Sequence, residues 1–228
     1  MRTAMNSTHP AALELQDVSC VFGEGPRRVV ALNQVSLVVE PGELVAVMGP
    51  SGSGKSTLLN VAGLLQQPTS GRVLIDGADV AQLNRARAAR VRRTRVGLVF
   101  QNYNLIPTLT VGENVGLPLE LDGVDPREAV LTALAEVGLD GLADRFPEEI
   151  SGGQAQRVAI ARALIGPRTV LLADEPTGAL DTSTGEGVLR VLRSRIDAGA
   201  AGILVTHEPR FAAWADRTVM MRDGVIQS

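Results

Sequence analysis

Short apolar runs recur along the chain, each too brief and too continuous to be one face of a helix. Leu44 to Met48, Val96 to Phe100, Thr169 to Ala173, Gly202 to Thr206 and Thr218 to Met221 are of this kind. Such runs predict strands buried on both faces, as in a parallel sheet. Between them lie stretches of good helix formers: Lys55 to Leu65, Ala86 to Arg93, Ala155 to Leu164 and Thr182 to Ile196. Strands alternating with helices predict an α/β core. Ala12 to Val18, Val29 to Val39 and Arg72 to Ile75 read as further strands, with turns at Glu24-Gly25-Pro26, Pro41-Gly42 and Asp76-Gly77. From Thr110 to Leu164 the pattern is mostly helical, with breaks expected at Pro118, Asp122-Gly123, Pro126 and Pro147. This stretch reads as a helical subdomain, approximately 102–164, inserted in the α/β core. The expected organisation is a disordered tail over 1–11 and a single domain over 12–228, without internal repeats.

Bulk properties narrow the class only slightly. With 228 residues, 45% hydrophobic and 21% charged, the chain can bury a sizeable core. Aromatics are only 3%, so aliphatic packing must fill that core. A net charge of −3 argues against a general nucleic-acid binder, and no nucleic-acid partner is expected. Cys20 is the only cysteine, which rules out an internal disulfide and fits a reducing compartment. No apolar run reaches the ~18–20 residues that span a bilayer. The polar segment Met1 to Pro10 lacks the apolar core of a secretory signal. The end at Gln227-Ser228, soon after the last strand, is expected to leave no C-terminal regulatory domain. A role at a membrane would therefore need another chain to supply the spanning helices.

Three motifs carry the chemistry. Gly49-Pro50-Ser51-Gly52-Ser53-Gly54-Lys55-Ser56-Thr57 fits G-x-x-x-x-G-K-[ST], between a predicted strand and a predicted helix. That context distinguishes a phosphate-binding P-loop from a chance Gly/Ser-rich turn. Gly52 and Gly54 let successive N–H groups point at one anion beside a helix N-terminus. Lys55 should reach the β- and γ-phosphates of ATP; Ser56 should ligate Mg²⁺, and Thr57 should add a phosphate contact. Val170-Leu171-Leu172-Ala173-Asp174-Glu175 is an apolar strand ending in two carboxylates. Asp174 is suited to hold Mg²⁺ and Glu175 to polarise a water as general base. Read alone, the pair is only a capped strand end before the Pro176-Thr177-Gly178 turn. Ser151-Gly152-Gly153-Gln154 precedes a helical stretch, with Ser151 a plausible N-cap and the glycines open to a phosphate. A helix cap and nothing more is the competing reading.

In this order the three motifs resemble the ATP-binding cassette (ABC) ATPases over nearly the whole chain. The resemblance implies a P-loop NTPase (RecA-like) core with a parallel sheet, an N-terminal antiparallel β subdomain and an inserted helical subdomain. It implies that Ser151, Gly152, Gly153 and Gln154 contact the nucleotide of the opposite subunit, so that a homodimer completes each site. Ile150 and Ala155 depart from the family's commoner Leu and Gln without removing a phosphate contact. Gln101, after a strand, resembles the Q-loop glutamine that senses Mg²⁺ and the membrane partner; a lone glutamine would read as a surface residue. Gly178-Ala179-Leu180-Asp181 resembles the D-loop that crosses the dimer, and His207 the switch histidine near the γ-phosphate. Phe22 resembles the aromatic platform beneath adenine, where stacking is worth ~1–3 kcal/mol; a core phenylalanine is the alternative. By this resemblance Lys55, Gln101, Glu175 and His207 act in hydrolysis, and Ser56, Gln101 and Asp174 hold the metal.

The stretch Val96 to Pro107, then Leu109-Thr110-Val111, Glu113-Asn114-Val115 and Pro176-Thr177-Gly178, resembles one branch of the family. That branch holds the lipoprotein-releasing, macrolide-exporting and cell-division ATPases (LolD, MacB and FtsE types). It implies two copies on the cytoplasmic face of the membrane, beneath an integral permease with a large extracytoplasmic domain. The permease's short cytoplasmic helix is expected to dock on the segment after Gln101, near Tyr103 and Leu105. The arginines from Arg85 to Arg95 read as a solvated helix face, with an anionic leaflet as the alternative. Two other functions stay open: a signalling module that pulls on a transmembrane regulator, and a soluble ABC ATPase acting on DNA or ribosomes. The motifs do not touch a transported substrate and say nothing of its identity.

Overall fold

The computed structural model describes residues 10–178 and 180–227. Most of the 1–11 tail, and Ala179 of the D-loop-like segment, lie outside the described residues. Strands β1 (Leu13–Phe22), β2 (Val29–Val39), β4 (Ser70–Ile75) and β5 (Ala78–Asp79) form an antiparallel sheet in the order β2-β1-β4-β5. A second sheet is built from β3 (Leu44–Met48), β6 (Val96–Val99), β7 (Val170–Asp174), β8 (Ala201–Val205), β9 (Arg217–Arg222) and β10 (Val225–Gln227). Its order is β10-β9-β3-β8-β7-β6, parallel except for the β9–β10 hairpin.

The parallel strands are apolar at successive positions because both faces are covered. Val45 and Val47 of β3, Leu172 of β7 and Ile203 of β8 join one core with helix α1 (Lys55–Ala62) and the antiparallel sheet. Their neighbours Leu44, Leu171, Ala173 and Leu204 point the other way, into a second core. Helices α3 (Val111–Glu120), α4 (Arg127–Glu136), α5 (Gly152–Leu164) and α6 (Thr182–Asp197) feed that second core. Alternation of side-chain direction thus splits each strand between two cores. The α6 contribution is one stripe, Val188, Leu189, Leu192 and Ile196, at helical spacing.

Three expectations are corrected. Pro118 does not break a helix: it lies inside α3, in its last turn, where it removes only one hydrogen bond. A Thr110–Glu113 capping box and the burial of Val111 and Val115 offset that loss. Helix α1 stops at Ala62 rather than Leu65. Gly63 caps it and Leu64 takes a left-handed conformation (φ +58°). The Ala86–Arg93 helix is longer, forming α2 over Arg85–Arg95, capped by Asn84. Strands β5 and β10 and the short α7 (Pro209–Ala212) have no counterpart in the sequence reading. No residue of α2 is fully buried, in keeping with a solvated face. Arg93 pairs with Asp122, and Arg92 Nη1 donates to the Leu64 carbonyl at 2.7 Å.

Candidate functional site

Four parallel strands end at one cavity. Strand β3 runs into the Gly49 loop, β6 leads to Gln101, β7 ends at Asp174 and Glu175, and β8 leads to His207. All of these groups line a cavity of about 720 Å³, within the ~300–1,000 Å³ typical of ligand sites. The carboxyl edge of an open parallel sheet is where such a crevice is expected. The opposite wall comes from the antiparallel sheet, at Val29, Val30 and Ala31.

The loop backbone is fixed by close packing. Gly49 has φ +151°, and a Cβ there would lie 2.0 Å from the Met221 carbonyl oxygen. Gly54 has φ +102°, and its Cβ would lie 2.4 Å from the Ala31 carbonyl oxygen. The loop is therefore wedged between β9 and β2, with no room for a side chain at either glycine. Gly49→Ala is expected to lower stability by roughly 1–3 kcal/mol, the range for overpacking a close-packed site. A thermal-unfolding comparison checks it, and an unchanged midpoint would refute the wedge.

Gly54 is the N-cap of α1 and offers no side-chain cap to the first-turn N–H groups. Those donors and the positive helix end are left for an anion. Ser51, Gly52, Gly54, Lys55, Ser56 and Thr57 all face the cavity. Lys55 Nζ donates to the Gly49 and Pro50 carbonyls, each at 2.8 Å. An ammonium has three donors, so one remains for a phosphate oxygen. Pro50 and Ser53 do not line the cavity. Pro50 accepts from the Ser53 backbone N–H, and Ser53 is buried with its Oγ unpartnered. Ser56 and Asp174 bring a hydroxyl and a carboxylate to the cavity lining, a donor set suited to a hard divalent cation that keeps waters and phosphates as its other ligands. Among the described residues no three His, Cys, Asp or Glu side chains gather into an all-protein metal cage.

Glu175 and His207 are in direct contact. His207 Nδ1 lies 2.8 Å from Glu175 Oε1, with the carboxylate 14% exposed and the imidazole 69% exposed. Glu175 has φ +47°, and its N–H donates to the Val205 carbonyl, which ties the end of β7 to β8. The hydrogen bond that the imidazole donates to the Glu175 carboxylate, then the carboxylate's charge, raises the His207 pKa above its ordinary value of 6.5. Because the folded value is raised, whatever stability the pair adds is complete below the ordinary value and is lost as pH rises through the raised one. NMR titration is expected to put the His207 imidazole above 6.5 in the native chain and lower in Glu175→Gln. An imidazole indifferent to that substitution would rule the contact out.

Gly178 of the D-loop-like segment lines this cavity, whereas Ser151, Gly152, Gly153, Gln154, Asp181 and Phe22 do not. Ser151 caps α5 in a reciprocal box with Gln154: Ser151 Oγ accepts from the Gln154 N–H and Gln154 Oε1 from the Ser151 N–H. Gly152 and Gly153 form the first turn of α5, with their N–H groups not used by that box. Asp181 caps α6; its carboxylate accepts from Thr184 N, Thr184 Oγ1 and Ser183 Oγ, which hold its pKa well below the usual range. Phe22 is 42% exposed at the end of β1, which removes the core alternative. Its ladder partner is Val29, which does line the cavity.

Sequence reasoning missed part of the wall and all of the loop scaffold. Val29, Val30 and Asn102 line the cavity. Two adjacent valines in an alternating strand put one of them on the outer face, a signal that was available. After Gln101, Tyr103 and Asn104 take left-handed backbone (φ +55° and +48°). Such conformations carry a penalty of about 1–2 kcal/mol per residue, least for Asn. Asn114, fully buried on α3, accepts from the Ile106 N–H and donates to the Ile106, Leu109 and Thr110 carbonyls. Arg162 on α5 donates to the Tyr103 and Asn104 carbonyls at 2.6 and 2.7 Å.

Known proteins share much of this sequence and fold. The ABC transporter family profile matches residues 32–178, more than half of the chain. The lipoprotein-releasing system ATP-binding protein LolD of Shewanella frigidimarina is 44% identical over 227 residues, covering 98% of this chain and 95% of LolD. The macrolide export ATP-binding/permease protein MacB of Shigella flexneri is 44% identical over 217 residues, covering 94% of this chain. The chain spans only about a third of the MacB length, 34%. The ATP-binding cassette MJ0796, solved as a dimer in a post-hydrolysis state bound to ADP and Pi, is 40% identical with a TM-score of 0.91. That match covers 95% of this chain and 97% of the other. With the P-loop, the paired carboxylates and the fold in agreement, the chain belongs to the ABC transporter family, as an ATP-binding cassette.

Proposed function

We propose that this chain is the ATP-hydrolysing subunit of a membrane transport complex and that two copies form its working unit. The observation that carries the reading is the convergence of Lys55, Ser56, Gln101, Asp174, Glu175 and His207 on one cavity. The loop amides and Lys55 bind the phosphates. Ser56 and Asp174, with Gln101 beside them, would hold Mg²⁺, which supplies charge neutralisation on the phosphates when bound. Glu175 takes a proton from the attacking water, and His207 orients that carboxylate through their hydrogen bond. Val29 and Val30, exposed beside Phe22, give an apolar ledge for the adenine base.

Ser151, Gly152 and Gly153 lie outside this cavity, at the N-terminus of α5, where the Ser151–Gln154 box leaves the Gly152 and Gly153 N–H groups for an anion. A second copy would bring that turn over the first copy's phosphates and complete the site. MJ0796 has been solved as a dimer, which supports this arrangement. No helix among the described residues is long and apolar enough to cross a membrane. The spanning part would be a separate permease with an extracytoplasmic domain, and the chain would sit on its cytoplasmic face. The names LolD and MacB support coupling to export or extraction. A cell-division type of signalling complex would use the same ATPase, so the partner decides between them.

Co-purification tests the reading. The Glu175→Gln chain, tagged in its native cell and recovered from gently solubilised membranes with ATP present, is expected to bring down a stoichiometric integral membrane protein. Recovery only from the soluble fraction, with ribosomes or DNA, would overturn the transport role and leave the ATPase chemistry standing.

A further inference from the structure

The contact between Arg162 and the Gln101 loop has no part in holding nucleotide, yet it is built with care. Arg162 Nη2 donates to the Tyr103 carbonyl and Nη1 to the Asn104 carbonyl. The left-handed backbone of both residues turns two successive carbonyls toward one guanidinium. A planar fork of donors meets two acceptors at once, which a single ammonium does not reproduce. Among the described residues no carboxylate pairs with Arg162, and burial lowers its pKa, so the charge rests on backbone carbonyls alone. The same loop touches the other end of α5. A Cβ placed on Gly152 would lie 3.4 Å from Tyr103 Oη, so the phenol rests against the turn that carries Ser151, Gly152 and Gly153. One loop residue thus contacts both ends of the helix.

We propose that Arg162 is a positioning residue of the ATPase cycle: it locks the Gln101 loop to the helix that bears Ser151-Gly152-Gly153. This rests on the two-chain site proposed above. In that site Gln101 faces the protomer's own nucleotide, and the head of α5 faces the nucleotide of the second copy. Locked together, the two move as one body. A nucleotide in one site then biases the geometry of the other, and hydrolysis is cooperative through this contact.

The test is an ATP titration of the hydrolysis rate of the full chain, native against Arg162→Lys and Arg162→Met. The expected result is a kcat about tenfold lower with little change in KM, as for misplacement of catalytic groups at a distance. The Hill coefficient should fall toward one. Tyr103→Phe, which keeps the guanidinium fork and removes only the hydroxyl, is expected to lower the Hill coefficient in a stably folded chain. It carries the test if both Arg162 variants fail to fold. A purely structural role would lower the thermal midpoint and leave kcat per folded chain and the Hill coefficient as they were, which overturns the proposal. So does a native chain without cooperativity. A parallel mass measurement on Glu175→Gln with ATP separates the two levels. If ATP does not dimerise it, the two-chain site fails and takes this inference with it. If it dimerises and Arg162→Lys keeps native kcat and cooperativity, the positioning role alone fails.

Discussion

Glu175→Gln is expected to bind ATP and all but cease to hydrolyse it, with kcat lower by about a hundredfold to ten-thousandfold, the usual span for a lost general base. The amide keeps the size of the side chain and the backbone contact to Val205, so the cavity should keep its shape. What it loses is the basicity that takes the proton from water. It also weakens the hydrogen bond and removes the charge that together raise the His207 pKa, so activity and imidazole titration should change together. ATP consumption under saturating Mg²⁺ and ATP gives the readout. Turnover at the native rate would remove Glu175 from the mechanism and leave its hydrogen bond to His207 as a structural tie.

Lys55→Met should act one step earlier, on binding. Methionine keeps much of the stem but supplies no ammonium. The Gly49 and Pro50 carbonyls lose their donor and a bound phosphate loses its cation. Charge-assisted hydrogen bonds to phosphate are worth about 1.5–3 kcal/mol. That energy corresponds to a Kd for ATP higher by roughly tenfold to a hundredfold. Titration with a fluorescent ATP analogue reads this directly, and a thermal midpoint shows whether the loop itself has loosened. An unchanged Kd would mean that the amides of the loop and α1 bind the phosphates unaided.

Much of this site was legible because its chemistry is local in sequence. Strand β3 has the bounds that the apolar run Leu44 to Met48 predicts. The Gly49 loop and α1 follow it without a gap in the argument. The two carboxylates fall at the end of β7 because a buried strand must end where charge begins. The parallel sheet followed from runs buried on both faces, whereas the antiparallel sheet was expected only through the family resemblance. Boundaries were harder. Helix α1 ends at Gly63, with Leu64 in left-handed backbone, where the chain packs so closely on β6 that a Cβ on Gly63 would lie 2.8 Å from Leu98 Cδ2, a tertiary fact. Pro118 survives in α3 because a capped first turn and buried valines outweigh one missing hydrogen bond. Least legible were contacts between distant segments. Nothing in the order of residues announces that Arg162 would reach Tyr103 and Asn104, or that Asn114 would hold the loop at Ile106. Nor could spacing alone say that Ser151 lies off the cavity that holds Lys55. The second copy was expected from the family resemblance, and that separation is consistent with it.

The mass of the full Glu175→Gln chain in solution, with and without ATP, tests the central claim most directly. A nucleotide site completed by the Ser151-Gly152-Gly153 turn of a second copy predicts a monomer without nucleotide and, on adding ATP, a dimer that retains one ATP per chain. A chain that binds ATP and stays monomeric at every concentration would contradict the shared site.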